Sequence, residues 1–146
     1  MCYSIYLSTD SDHDLSIGNS DLVRFKKESI PVPYQSQLRY PNQWYVGSKS
    51  GCSCTFRHLY SVELGFGEPV EWYEEDEHEI AATFTFIQVI RQILKLGFRA
   101  DCIDTWEGTQ PEEMIEISVN LDDIGDEQFR FFENHHLLFE SNVVQD

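Results

Sequence analysis

The stretch EWYEEDEHEIAATFTFIQVIRQILKLG, residues 71–97, decides how this chain is built. Glu71, Glu74, Glu75, Asp76, Glu77 and Glu79 crowd its start, where the positive end of a helix dipole favours carboxylates. Arg91 and Lys95 sit in the closing turns, and Gly97 suits the left-handed position that ends a helix. Ile80, Phe84, Ile87, Ile90 and Leu94 recur at helical spacing, and Phe86, Val89 and Ile93 widen that stripe. The pattern predicts one continuous helix from Glu71 to Leu96, with its second half buried on more than one side.

Downstream, Phe98 to Trp106 reads as a strand. Ile115, Ile117, Val119 and Leu121 then alternate with Glu116, Ser118 and Asn120. One wet face of this kind favours an antiparallel sheet. Gly125 to Glu140 reads as a second helix, with Asp126 as its N-cap and Phe129, Phe132, His136 and Phe139 on one face. Upstream, residues 2–8 form a strand with Tyr3, Ile5 and Leu7 facing inward, and Leu22 to Lys27 a second. Pro31, Pro33 and Pro41 make residues 28–43 a loop or irregular edge. Trp44–Val46 and Cys54–Leu59 read as strands flanking a glycine-rich loop. The order is strands, long helix, hairpin, helix. It predicts one α+β domain over residues 1–146, a mostly antiparallel sheet with one long and one shorter helix packed on one face.

The chain has 146 residues, 41% apolar and 14% aromatic, which is enough for a buried core and argues against disorder. Its 10 Lys and Arg stand against 26 Asp and Glu, a formal charge of −16. That charge repels phosphate backbones and anionic lipid, so direct nucleic-acid and membrane binding are not expected. A basic protein partner is the natural complement. No apolar run reaches the ~20 residues of a membrane span, and no basic, apolar leader opens the chain. The expected compartment is the cytoplasm, with Cys2, Cys52, Cys54 and Cys102 as free thiols. The sequence carries no signal of oligomeric state.

The densest chemistry lies in Gly47-Ser48-Lys49-Ser50-Gly51-Cys52-Ser53-Cys54-Thr55-Phe56-Arg57-His58. On a strand, Cys52 and Cys54 point to the same side. Thiolates are soft metal ligands, and with His58 they could hold part of a zinc site. No second cysteine knuckle follows, and the spacing is not the Cys-x-x-Cys of disulfide oxidoreductases. Cysteine also serves as a small buried apolar residue. Gly47, Ser48, Lys49, Ser50 and Gly51 offer N–H groups, hydroxyls and an ammonium to an anion, though not in P-loop spacing. A hairpin tip has the same composition.

Asp10, Asp12 and Asp14 resemble the opening of an EF-hand calcium loop. Leu15 stands where that loop needs glycine and Asp21 where it needs glutamate, so a capping loop is the competing reading. Cys2 could become an N-terminal nucleophile only after loss of Met1. Glu75/His78 and Glu133/His136 share the Glu-x-x-His spacing of di-iron bundles, which need four long helices. No Gly-x-Ser-x-Gly, His-Glu-x-x-His or Gly-x-Gly-x-x-Gly occurs.

Two functions follow. In the first, the chain is a non-catalytic binding domain whose acidic, aromatic face, Glu71, Trp72, Tyr73, Glu74, Glu75 and Glu77, meets a basic partner. In the second, Cys52, Cys54 and His58 form a thiol- or metal-dependent site, with zinc as its cofactor. The sequence itself requires no cofactor.

Overall fold

A computed structural model describes residues 3–27, 30–48, 53, 56–59, 77–106, 114–125 and 128–141. The fold is α+β. In chain order the elements are β1 (Tyr3–Thr9), β2 (Arg24–Lys26), α1 (Val32–Gln37), β3 (Asn42–Gly47), β4 (His58–Leu59) and α2 (Glu77–Lys95). Then come β5 (Ala100–Trp106), β6 (Ile115–Asn120), β7 (Phe131–Phe132) and β8 (His135–Glu140). Six strands form one sheet in the order β2-β3-β1-β5-β8-β6, while β4 and β7 pair separately. The strands expected near residues 2–8, 22–27, 44–46 and 98–106 are β1, β2, β3 and β5.

The long helix is continuous over its described part, Glu77–Lys95. Gly97 stops it at φ 92°. Its N–H donates to the Leu94 carbonyl at 3.0 Å, and the Phe98 N–H to the Ile93 carbonyl at 3.1 Å. This is a Schellman cap, which satisfies carbonyls the helix itself leaves open. Phe86, Ile87, Ile90, Ile93 and Leu94 are buried, whereas Phe84 is partly exposed. The buried face is therefore the later part of that stripe, and Phe84 lies at its margin.

That stripe lies against Ile5, Leu7, Cys102, Leu137 and Phe139 in one buried cluster. Each fully buried side chain of this size contributes about 2 kcal/mol through removal of apolar surface from water. Aromatic rings fill the gap: Phe86 and Phe131 lie 5.0 Å apart, and Phe129 meets Phe131 edge-on at 5.1 Å. Alternation along β5 sends Cys102 and Asp104 to this side and Asp101 and Ile103 to the other. There Ile103 joins Ile30 and Leu38, with Tyr6, Tyr34 and Met114 packed against them.

Three expectations need correction. Residues 28–43 are not all loop, because α1 occupies Val32–Gln37. Pro31 is its cap and Pro33 lies in its first turn, where a missing N–H costs nothing. This is the shorter helix, and Tyr34 packs it over the side of the sheet opposite α2.

Gly125–Glu140 is not a helix. Phe131–Phe132 and His135–Glu140 are strands, joined through Asn134 at φ 61°. Asn tolerates that left-handed conformation. The aromatic spacing fits period two as well as 3.6: Phe129 with Phe131, Leu137 with Phe139. Sheet pairing decided between them.

Finally, β6 runs parallel to β8, from Ile115 opposite His135 to Asn120 opposite Glu140. The other strand pairs of the large sheet are antiparallel. As the edge strand, β6 has a wet side whatever its direction, so alternation alone could not give its polarity.

Candidate functional site

Between β3 and β4, the Ser53 hydroxyl ties the chain to the sheet. Ser53 Oγ accepts the Ile5 N–H at 2.9 Å and donates to the Val46 carbonyl. Ile5 and Val46 are register partners, so a side chain bridges the β1–β3 ladder at this point. Ser53 is wholly buried. Its carbonyl then meets His58.

His58 is set by β4, and its side chain is only 4% exposed. Nδ1 donates to Asp104 Oδ2 at 2.7 Å and Nε2 to the Ser53 carbonyl at 2.6 Å. With Asp104 ionised, both ring nitrogens face acceptors, and only the doubly protonated imidazolium donates from both. Tyr3 stacks on the ring, centroids 3.8 Å apart and planes 4° from parallel. Its hydroxyl donates to Glu133 Oε1 at 3.1 Å.

Burial opposes the charge on His58. The Asp104 charge, the bond to it and the Ser53 carbonyl outweigh burial and hold the ring's pKa above its ordinary value. Burial also pushes the Asp104 carboxyl up, and the His58 charge draws it back only part of the way. Asp104 Oδ1 is buried and has no hydrogen-bond partner among the described residues.

Three residues earlier on β5, Asp101 is handled differently. It accepts from the Ser8 hydroxyl, from the Arg39 N–H at 3.1 Å and from His136 Nε2 at 2.7 Å. Ser8 Oγ in turn accepts the Tyr40 N–H at 3.2 Å. His136 Nδ1 lies 3.5 Å from Glu116 Oε2, whose other oxygen takes the Arg39 guanidinium at 2.9 Å. Burial, reinforced by the Asp101 charge, lifts the Tyr40 phenol above its usual pKa.

Serine, aspartate and histidine are all present, yet this is no nucleophilic triad. A triad places histidine on the serine as base. Here the carboxylate stands between them, and Ser8 has no exposure. Cys102, between the two aspartates on β5, is equally shut in. Burial, with the Asp101 and Asp104 charges, drives its thiol pKa far up. It is an inert core thiol.

Of the sequence candidates, Cys52, Cys54, Lys49, Ser50, Gly51, Glu71, Trp72, Tyr73, Glu74 and Glu75 lie outside the described residues. Gly47 closes β3. Ser48 is buried, and its Oγ bonds the Leu22 carbonyl and His78 Nε2, each at 2.8 Å. Glu77 is exposed at the first described turn of α2. Asp10 accepts the Arg99 N–H at 2.7 Å, and Asp14 caps Ser16 at 3.0 Å. The bonds from Ser16 hold the Asp14 carboxyl below the usual carboxylate range. Asp12 is exposed. Among the described residues, no three His, Cys, Asp or Glu side chains are grouped to hold a metal. His136 is buried on a strand and bonded to Asp101.

Sequence reasoning did not single out Asp101, Asp104 or Ser8. The available signal was two aspartates inside the apolar strand Ala100–Trp106, since carboxylates rarely enter a core unpaired. No family model, curated protein or solved structure matches this chain. No described helix is long and apolar enough to cross a membrane.

Proposed function

We propose that the protein is a non-catalytic binding domain for a basic protein partner. Charge carries this reading. The chain has 10 cationic side chains against 26 acidic ones, and two of the cations, Arg57 and Arg130, are withdrawn into the interior. Few are left to screen the acidic surface, so encounter with a basic surface is steered and encounter with nucleic acid is opposed. The closed state of Ser8, Cys102 and the Asp–His pairs supports binding over catalysis. The same reading has the protein cytoplasmic.

A labelled Lys/Arg-rich peptide, titrated while anisotropy is followed, tests it. Binding should be micromolar near 50 mM salt and weaken at least about tenfold by 200 mM. Reversing Glu74, Glu75 and Glu77 to lysine should weaken it further. Equal affinity for random duplex DNA, or none for the peptide at low salt, would reject the proposal.

One observation favours the thiol reading as the alternative. Cys52 and Cys54 are the chain neighbours of Ser53, whose carbonyl holds the charged His58 ring. A cation nearby lowers a thiol pKa. In that case Cys52 or Cys54 alkylates at neutral pH faster than buried Cys102, or zinc copurifies with the untagged protein. If both resist alkylation until unfolding and no zinc is present, the alternative fails.

A further inference from the structure

Asp12 and Asp14, from the turn after β1, and Lys26 and Lys27, from the end of β2, line one open cleft of about 440 Å³. That lies within the size range of small-ligand sites, about 300–1,000 Å³. Trp44 and Phe25 supply its apolar lining. The Lys27 ammonium stands 4.4 Å from the centre of the Trp44 ring. Trp44 is only 3% exposed, and its indole N–H is buried with no hydrogen-bond partner among the described residues. Almost all buried polar groups in proteins are paired, and this one belongs to a residue that lines the cleft.

The charges select the ligand. A simple anion would meet Lys26 and Lys27 but be repelled by Asp12 and Asp14; a simple cation would face the reverse. A molecule carrying both charges satisfies both pairs. Its carboxylate answers the lysines, and its ammonium answers the aspartates. We propose that this cleft binds a small zwitterion of amino-acid size, with its carboxylate toward Lys27 and Trp44 and its ammonium toward Asp12. Lys27 is exposed, so its side chain has room to move off the ring and admit the carboxylate. This site does not depend on the basic-partner reading, because it uses different residues and a ligand of no net charge.

The test is a titration of the ¹⁵N-labelled full chain, following the assigned indole N–H signal of Trp44. Three probes share one alkyl chain length: norleucine carries both charges, hexanoate only the carboxylate, and pentylamine only the ammonium. Norleucine should shift the Trp44 signal saturably, with at least about tenfold higher affinity than either single-charge probe. Lys27→Gln and Asp12→Asn each change an exposed side chain and should each weaken norleucine at least about fivefold. The Trp106 indole, which does not line the cleft, serves as the internal control. The proposal is overturned by no saturable shift up to about 20 mM norleucine, by equal affinity for hexanoate or pentylamine, or by an unchanged affinity in Lys27→Gln.

Discussion

Asp101 and Asp104 lie three residues apart on one strand, both fully buried and both facing a histidine, yet the two ends of the strand solve the burial of a charge differently. Asp101 is saturated by a backbone N–H, a hydroxyl and an imidazole, and its network runs out to the half-exposed Glu116 and Arg39. Among the described residues, Asp104 has one hydrogen-bonding partner, His58, and one oxygen left open. A buried carboxylate held by several donors tolerates the loss of one. A carboxylate that relies on a single counter-ion does not, because removing that partner leaves an uncompensated charge in a poor dielectric. The difference predicts where the fold is fragile.

The largest effect should come from His58→Ala. It strands Asp104 and removes the ring under Tyr3, so a loss of about 3–5 kcal/mol is expected in urea unfolding. His136→Ala leaves Asp101 with Ser8 and the Arg39 N–H, and should cost about 1–3 kcal/mol. Equal losses would erase the contrast.

The two networks should also separate by pH. The folded pKa of His58 is raised above its unfolded value near 6.5, so the folded state holds this proton more tightly. Its contribution is complete below about pH 6.5 and is lost as pH rises through the folded pKa. Asp104 acts with the same sign further into acid, because its folded pKa is also raised. Stability should therefore fall as pH climbs from about 6.5, and His58→Gln should flatten that fall. A rise in melting temperature over the same interval would show that the ring is not an imidazolium.

Ser53→Ala comes next. The hydroxyl is the acceptor for Ile5 and the donor for Val46, and its loss leaves two buried backbone groups facing each other. A cost of about 2 kcal/mol is expected from the unpaired groups. It should also loosen the loop that presents the carbonyl to His58. Hydrogen exchange at Ile5 should then speed up while exchange at Asp101 stays unchanged. Matched acceleration at both would mean that the two ends of β5 are not independent.

How far these features could be read from sequence follows the range of the signal. The long helix was legible because its stripe, its acidic start and Gly97 are local and agree. The segment 125–140 was not, because aromatic residues at 129, 131, 132 and 139 satisfy either period and only the pairing of β8 with β5 settles it. The proline-rich stretch hid α1 because proline forbids a helix interior but suits a first turn. At the site, the strand Ala100–Trp106 was legible, but the partners of its aspartates were not. Asp104 finds His58 across 46 residues and Asp101 finds His136 across 35. No spacing rule in a single sequence encodes such pairs. Clustering pointed to His58 as a metal ligand beside Cys52 and Cys54. In the structure both of its nitrogens already donate to oxygen, so metal binding there would first have to displace Asp104 or the Ser53 carbonyl.

The smallest effect should come from Glu116→Gln, and it decides how open the Asp101 network is. Glu116 and Arg39 are 51% and 50% exposed, and their 2.9 Å contact is paid for in side-chain entropy and screened by water. Glu116 also lies 3.5 Å from His136 Nδ1, too far for a strong bond. If the carboxylate is only the outer rim, the substitution costs less than about 1 kcal/mol, and moderate salt removes the difference. If the loss instead approaches that of His136→Ala and survives salt, Glu116 is an integral counter-charge. The side of the sheet toward α1 would then hold its histidine as tightly as the side toward α2 holds His58, and the asymmetry between the two aspartates would lie in geometry but not in energy.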